Sequence, residues 1–261
     1  MKAMMSRRLY RQERLERILE RLQQTGYVSV SELSEDLGVS AVTIRTDLDS
    51  LEAEGNLQRT HGGAVPLHAS DEVLSFSARQ RTQTQTKDRI GAAAAGLVQD
   101  GEAIVLDAST TAWHMARHLV NLRDLTVVTT GLHTAVELLR GPGIEILIPG
   151  GKVWREAGAL VGAADRPAPE GINLQKVFFG GRGFSLETGL TDPNRDEVGL
   201  KRSFLLPGRE LTVLVDSSKF GKVAFATIAT LDQIHRLITD DGAPPEALDA
   251  LRERGIEVIV V

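Results

Sequence analysis

Five stretches of the chain gather Gly, Ser, Thr, Asp and Lys in the manner of anion-binding loops: Asp107-Ala108-Ser109-Thr110-Thr111, Thr129-Thr130-Gly131, Gly150-Gly151-Lys152, Gly180-Gly181-Arg182-Gly183 and Asp216-Ser217-Ser218-Lys219. Small residues let backbone N–H groups approach an anion, and hydroxyls add donors. The helix expected after Thr111 offers its positive end. Lys219 and Lys201 are the residues expected to supply positive charge, while Asp107 and Asp216 suit sugar hydroxyls or the orientation of a lysine. Ser109, Thr110, Thr111, Thr130, Gly150 and Gly151 complete the candidate lining. One such loop alone is more often a plain turn, but five together point to a phosphate or carboxylate site. No loop completes the Walker A pattern, and 180–183 does not match the dinucleotide fingerprint. ATP and NAD are therefore poor candidates, and no cofactor is expected.

Such loops need a scaffold that brings them to one edge. Short apolar runs precede them, and the strand candidates are 103–107, 125–130, 144–149, 176–179, 211–216, 236–239 and 257–261. Most are continuously apolar rather than alternating, as strands buried on both faces are. Helical patterns fall between them near 88–99, 110–120, 131–140, 195–205 and 245–254. The alternation predicts a mostly parallel α/β sheet, and such sheets bind ligands at the carboxyl ends of their strands.

A second constellation lies near the N-terminus. Ser31 reads as an N-cap, Leu33 and Leu37 as one buried stripe, and Gly38 as the left-handed residue that stops the helix. Ser40 caps the next helix, whose Ile44, Leu48 and Leu51 face a core. Two capped helices joined by a glycine turn are the plan of a winged helix-turn-helix, whose second helix enters the DNA major groove. Ser40, Ala41, Thr43, Arg45 and Thr46 lie off the apolar stripe near the end that reads bases. Arg45 can reach a guanine edge or a phosphate. Val28-Ser29-Val30 is expected to pair with a wing at 56–60, on or just after which Arg59 and His61 meet the DNA backbone. A helix over about 7–24 precedes this, and residues 1–21 hold seven basic side chains against three acidic ones. Its arginines suit either phosphate contacts or helical ion pairs such as Glu13 with Arg17 and Glu16 with Arg21.

The whole-chain balance sets limits. A net charge of −5 over 261 residues argues against broad nucleic-acid affinity, so DNA binding must come from one small basic surface, repeated in a homo-oligomer, a dimer or tetramer. There is no cysteine, which removes disulfide and thiol chemistry. No apolar run reaches membrane-spanning length and no signal core opens the chain, so a cytoplasmic location without membrane contact is expected. His114 and His118 have a zinc-compatible spacing, but no third ligand accompanies them and no metal site is expected. Asp240 and Asp241 read as a turn, and Trp113 and Trp154 as packing residues.

The runs Val-Ser-Ala-Val-Thr-Ile-Arg-Thr-Asp-Leu, Leu-Glu-Ala-Glu-Gly and Arg-Thr-His-Gly-Gly-Ala-Val resemble the DNA-binding domain of the DeoR family of bacterial transcription regulators. Asp-Ala-Ser-Thr-Thr, Gly-Gly-Lys, Gly-Leu-Thr at 189–191, Lys201-Arg202 and Asp-Ser-Ser-Lys-Phe-Gly resemble its effector domain. Thr46 stands where the family has a basic residue. The resemblance implies a winged helix-turn-helix over 1–66, a connector over 67–87 and an α/β effector domain over 88–261, similar in its sheet to sugar-phosphate isomerases. It implies a repressor of a carbohydrate-metabolism operon, with operator DNA and a phosphorylated sugar effector as partners. It also implicates Arg79 and Lys87, together with Asp216 and Lys219, in the inducer response. Ligand phosphate is expected to draw Lys219, Lys201 and Lys87 into one pocket, and capture of Lys87 to reposition the winged helices. The alternatives are an isomerase-like enzyme, with Asp107 or Asp216 and Lys219 as acid and base, and a DNA-binding protein without ligand control. No catalytic residue is assigned.

Overall fold

In the computed structural model, which describes residues 10–25, 28–60, 62–65, 76–162 and 171–261, the chain divides into two units, Met1–Ala78 and Arg79–Val261. The first holds α1 (Arg11–Thr25), β1 (Val28–Ser29), α2 (Val30–Leu37), α3 (Ala41–Ala53), β2 (Gln58–Thr60) and β3 (Gly63–Val65). Leu15, Ile18, Leu22, Leu33, Ile44, Leu48 and Leu51 form its core with Val28, Leu57 and Ala64. Gly38 takes φ 64° and donates its N–H to the Ser34 carbonyl, closing α2. Ser40 Oγ accepts the Thr43 N–H at 3.1 Å and opens α3.

Two local expectations change. Ser29, not Ser31, caps α2, accepting the Glu32 N–H at 3.1 Å. The earlier start buries Val30 one turn before Leu33, which a helix beginning after Ser31 would not do. Also, β1 pairs antiparallel with β3 rather than with 56–60, and the sheet order is β1-β3-β2. The strand that returns from the wing presents the small residues Gly63 and Ala64 to β1.

The division between the units falls on α4 (Phe76–Arg81). There follow α5 (Thr84–Ala95), β4 (Ala103–Leu106), α6 (Thr110–Leu119), β5 (Leu125–Thr129), α7 (Leu132–Leu138), β6 (Ile144–Leu147), β7 (Lys152–Trp154) and β8 (Ala159–Val161). After these come β9 (Lys176–Phe179), β10 (Gly183–Ser185), β11 (Gly189–Asp192), α8 (Arg195–Arg202) and β12 (Glu210–Leu214). The chain ends with β13 (Ala226–Ala229), β14 (Arg236–Thr239), α9 (Pro245–Glu253) and β15 (Glu257–Val260). The end of the expected connector is thus helical, and α5 starts before Asp88.

The seven predicted apolar runs form one parallel sheet of order β15-β14-β12-β9-β4-β5-β6. Successive residues feed opposite cores, as the pleat requires. Ile104, Leu106 and Phe178 join Ile90, Met115 and Leu119 on one side, while Val105, Val177 and Phe179 join Phe184, Val198 and Phe204 on the other. The hairpin β7-β8 and the antiparallel sheet β10-β11-β13 were not among the predicted strands. Their strands are three or four residues long and all but β8 include Gly, Ser, Thr, Lys or Asp, so those strands lack the continuous apolar run that marks most strands of the main sheet.

Candidate functional site

The chain leaves β4 toward β5 and β6, then returns to β9 on the other side of β4. Such a reversal opens a crevice at the carboxyl ends of the strands. Asp107 and Gly180 directly follow β4 and β9 there. Gly180 donates its N–H to Asp107 Oδ2 at 2.9 Å, and Ser109 donates its own to Oδ1 at 3.0 Å. Only glycine fits at 180, because a Cβ would lie 2.6 Å from Ser109 Cβ. Two loops therefore close on one buried carboxylate.

Lys201 of α8 sits on the same group. Its Nζ is 2.9 Å from Asp107 Oδ2, 3.1 Å from Glu197 Oε1 and 3.6 Å from Asp192 Oδ2, and it donates to the Gly180 carbonyl at 3.3 Å. All four side chains are buried. Burial opposes the Lys201 charge, but Asp107, Glu197 and Asp192 outweigh it and raise the ammonium pKa above the ordinary lysine range. Burial likewise opposes the Glu197 charge, yet Lys201 and Arg79 hold that carboxyl below its usual value. Asp192 moves the other way: burial and then Glu197 push it up to about 6, against Lys201, Arg182 and Arg79. This corrects the part expected of Lys201, whose ammonium is enclosed by carboxylates of its own chain rather than directed at an outside anion.

A second set of cations faces this region. Arg79 of α4, Lys87 of α5 and Arg182 of the β9–β10 loop are buried, and Lys219 is half-buried at the end of the turn Ser217–Lys219. Burial lowers Arg79 to about 9, with Arg182 as the next cause. Burial lowers Lys87 to about 7; Asp216 opposes this, and Lys219, Arg79 and Arg182 add to it. Glu197, Asp192 and Asp107 oppose the shift of Arg79, so these cations share one electrostatic environment with the carboxylates around Lys201. Lys87 Nζ also donates to the carbonyls of Arg79 (2.6 Å) and Thr82 (2.7 Å), tying α5 to the end of α4. Asp216 accepts the Ser218 N–H at 3.0 Å and the Ser218 hydroxyl. The next residue, Ser217, is held by Asp240 through its N–H (2.6 Å) and hydroxyl (2.7 Å).

The remaining predicted residues divide. Ser109 caps α6, its hydroxyl accepting the Ala112 N–H at 3.1 Å, so the helix begins at Thr110. Thr110 and Thr111 are buried in its first turn. Thr130 follows β5, one position beyond the Leu106–Thr129 register pair and so beside Asp107. It is buried, and its Oγ1 has no hydrogen-bond partner among the described residues. Gly150 and Gly151 lie exposed after the edge strand β6 and are not part of the buried group. His114 and His118 both meet Asp88 Oδ1 at 3.2 Å, as Arg117 does. Among the described residues no group of three or more His, Cys, Asp or Glu side chains is placed to hold a metal. Trp113 stacks edge-on with His114, and Trp154 packs on Ala108, Ala157 and Ala159.

In the N-terminal unit, Ser40, Arg45 and Thr46 are exposed at and within α3, with Ala41 and Thr43 half-buried beside them. Arg59 lies back along α3, donating to Asp49 Oδ1 at 2.8 Å and to the Arg45 carbonyl at 3.0 Å. His61 falls outside the described residues. The arginines of α1 are unequal. Arg14 is buried on Asp47 of α3, with Nη2 to Oδ1 at 3.1 Å, and serves the core rather than DNA. Arg21 pairs with Asp36 of α2.

Arg182, Asp192 and Glu197 belong to the buried cluster but were not among the predicted site residues. The available signals were faint: an arginine inside a glycine-rich loop, and the i,i+4 pair Glu197–Lys201, which in sequence looks like a solvated helix face.

Residues 14–69 match the family model of the DeoR-like helix-turn-helix domain, and residues 82–241 that of the DeoR C terminal sensor domain. The HTH-type transcriptional regulator GolR of Listeria innocua is 37% identical, with 94% of this chain and 97% of that protein covered. The glycerol-3-phosphate regulon repressor of Escherichia coli is 30% identical, with 92% and 95% covered. A ribose 5-phosphate isomerase A of Methanocaldococcus jannaschii is similar at 19% identity and a TM-score of 0.40, over 53% of this chain and 55% of that one. No described helix is long and apolar enough to cross a membrane. With both family models matched and relatives similar along nearly its full length, the chain belongs to the DeoR family of transcriptional regulators, a DNA-binding helix-turn-helix unit joined to a C-terminal sensor unit.

Proposed function

We propose that this regulator represses a carbohydrate-metabolism operon and that a phosphorylated sugar or related metabolite, bound in the sensor unit, controls it. The convergence of Arg79, Lys87, Arg182 and Lys219 carries the reading. Lys87, lowered first by burial and then by Lys219, Arg79 and Arg182, gains most from a compact dianion, which offsets those like charges and restores its own charge. The repressor relative named for a glycerol-3-phosphate regulon supports a phosphorylated effector. Binding without turnover is favoured because Asp107, one of the two acids of the isomerase-like alternative, is held by Lys201 at 2.9 Å.

On the DNA side, Arg45 and Thr46 reach base edges or phosphates, Ser40, Ala41 and Thr43 line the approach, and Arg59 flanks it. A homo-oligomer, dimer or tetramer, supplies paired half-site contacts in the cytoplasm. Coupling runs through Lys87. An anion that captures its ammonium competes with the Arg79 and Thr82 carbonyls and loosens the end of α4, and Gln83, at φ 53° between α4 and α5, absorbs the change. A coupling of about 1–3 kcal/mol suffices for control.

A thermal-shift screen with sugar phosphates and their parent sugars tests the reading. Phosphorylated members are expected to raise Tm with concentration and to change the mobility shift of an operator fragment. Equal shifts from parent sugars, or none from any phosphate, would remove the phosphate sensor from consideration.

A further inference from the structure

Asp192 ends β11, buried at 3% exposure. Its Oδ2 faces Lys201 Nζ at 3.6 Å, the longest of the three carboxylate contacts to that ammonium. Its Oδ1 has no hydrogen-bond partner among the described residues. Asp107 differs, taking an N–H on each oxygen. A buried acceptor left without a donor is costly, and native structures keep few of them. The charged groups that act on Asp192 are Glu197 and Lys201 from α8, the latter in direct contact, Arg182 from the β9–β10 loop and Arg79 from α4. Two of these, Arg79 and Arg182, belong to the cation set proposed to hold a phosphate, so the Asp192 carboxylate borders the same region. A second buried orphan, Thr130 Oγ1, stands beside Asp107, which shares Lys201 with Asp192.

We infer that Asp192 Oδ1, with Thr130 Oγ1, receives hydroxyl groups of the effector, so that the sensor distinguishes a phosphorylated polyol from bare phosphate. The inference rests on the phosphate reading above and adds the chemistry of the rest of the ligand. An ionised Asp192 accepts a hydroxyl proton in a charge-assisted bond. A site built for that bond rejects a ligand lacking the hydroxyl. The acceptor form is present at neutral pH and is lost as pH falls through about 6.

The test is calorimetric titration of the full chain with inorganic phosphate and with a set of pentose and hexose phosphates. At pH 7.5 the natural chain is expected to prefer at least one sugar phosphate over inorganic phosphate. Asp192→Asn should cut that preference by about tenfold or more, and Thr130→Val by less. Measured against methyl phosphate, a monoester that lacks the hydroxyls, the preference for a sugar phosphate should also shrink in the natural chain between pH 7.5 and 5.5. The two monoesters have similar second ionisations and Lys87 acts on both, so the ratio between them isolates Asp192. If the natural chain binds neither probe, the phosphate reading fails and takes this inference with it. If it prefers sugar phosphates and Asp192→Asn keeps the preference, the inference alone is overturned. If that variant does not fold, a preference unchanged by pH in the natural chain overturns it equally.

Discussion

In the N-terminal unit Arg45 stands exposed on α3, and the cations that are not exposed, such as Arg14, are matched to scaffold acids. In the sensor unit Arg79, Lys87 and Arg182 are buried, and burial, with neighbouring cations next, lowers the pKa of Arg79 and Lys87. The difference fits the size of each anion. An exposed arginine keeps its hydration, acts through a salt-screened field, and suits a long polyanion met by many weak contacts. Buried cations have already lost hydration and repel one another, so they respond to a small dianion that enters among them. The cluster of Lys201 with Asp107, Asp192 and Glu197 lies beside them as a fixed internal charge set, already satisfied on the cationic side.

The comparison breaks most severely at Lys201. Lys201→Met leaves three carboxylates crowded and buried, which is expected to destabilise the sensor unit by about 3–5 kcal/mol. Both tryptophans of the chain, Trp113 and Trp154, lie in that unit, so a urea melt followed by tryptophan fluorescence reads it directly. A loss under about 1 kcal/mol, the range of exposed pairs, would mean that the cluster is solvated. Next in size, Arg45→Ala should lower operator affinity by about 5–150-fold, the 1–3 kcal/mol of one base contact, while sugar-phosphate stabilisation persists; parallel loss of both would indicate misfolding. Operator binding should weaken steeply with salt. Lys219→Ala touches only the other anion site. It should weaken sugar-phosphate binding about tenfold, as expected for one charged hydrogen bond, and an unchanged titration would remove Lys219 from that site.

Legibility followed the length of the signal. The seven sheet strands and the α3 cap could be read because apolar runs and Ser/Gly punctuation act locally. The caps of α2 were half legible: Gly38 has one conformational reason to be there, whereas Ser29 and Ser31 are equivalent in composition and only the burial of Val30 chooses between them. Lys201 could be placed near the site but not assigned its partners. Glu197 is its i,i+4 neighbour on α8, but Asp107 and Asp192 reach it from the end of β4 and from β11, and only the fold brings such separated elements together. Arg14 illustrates the same limit. In sequence it matches its exposed neighbours on α1, and its burial depends on Asp47, thirty-three residues away.

The smallest expected effect also discriminates between the two sites, because it is a proton count. Lys87 has its pKa lowered from 10.5 to about 7, chiefly by burial. Between those values the folded chain holds fewer protons at this position than the unfolded chain. The contribution of Lys87 to stability therefore rises with pH through that window and is least favourable below about 7. An anion set against the ammonium favours its charged form and lifts its pKa. At pH 8 Lys87 is mostly neutral before binding, Asp192 is ionised, and a sugar phosphate, with its second pKa near ~6, is already a dianion. Binding at pH 8 should therefore take up as much as about one proton through Lys87, and the uptake should diminish toward pH 6.5. Calorimetry in two buffers of different ionisation enthalpy measures it. The same two-buffer titration with operator DNA gives the comparison at the other anion site. Proton release at pH 8, or no exchange, would detach Lys87 from the ligand and leave it only as the clamp on the end of α4.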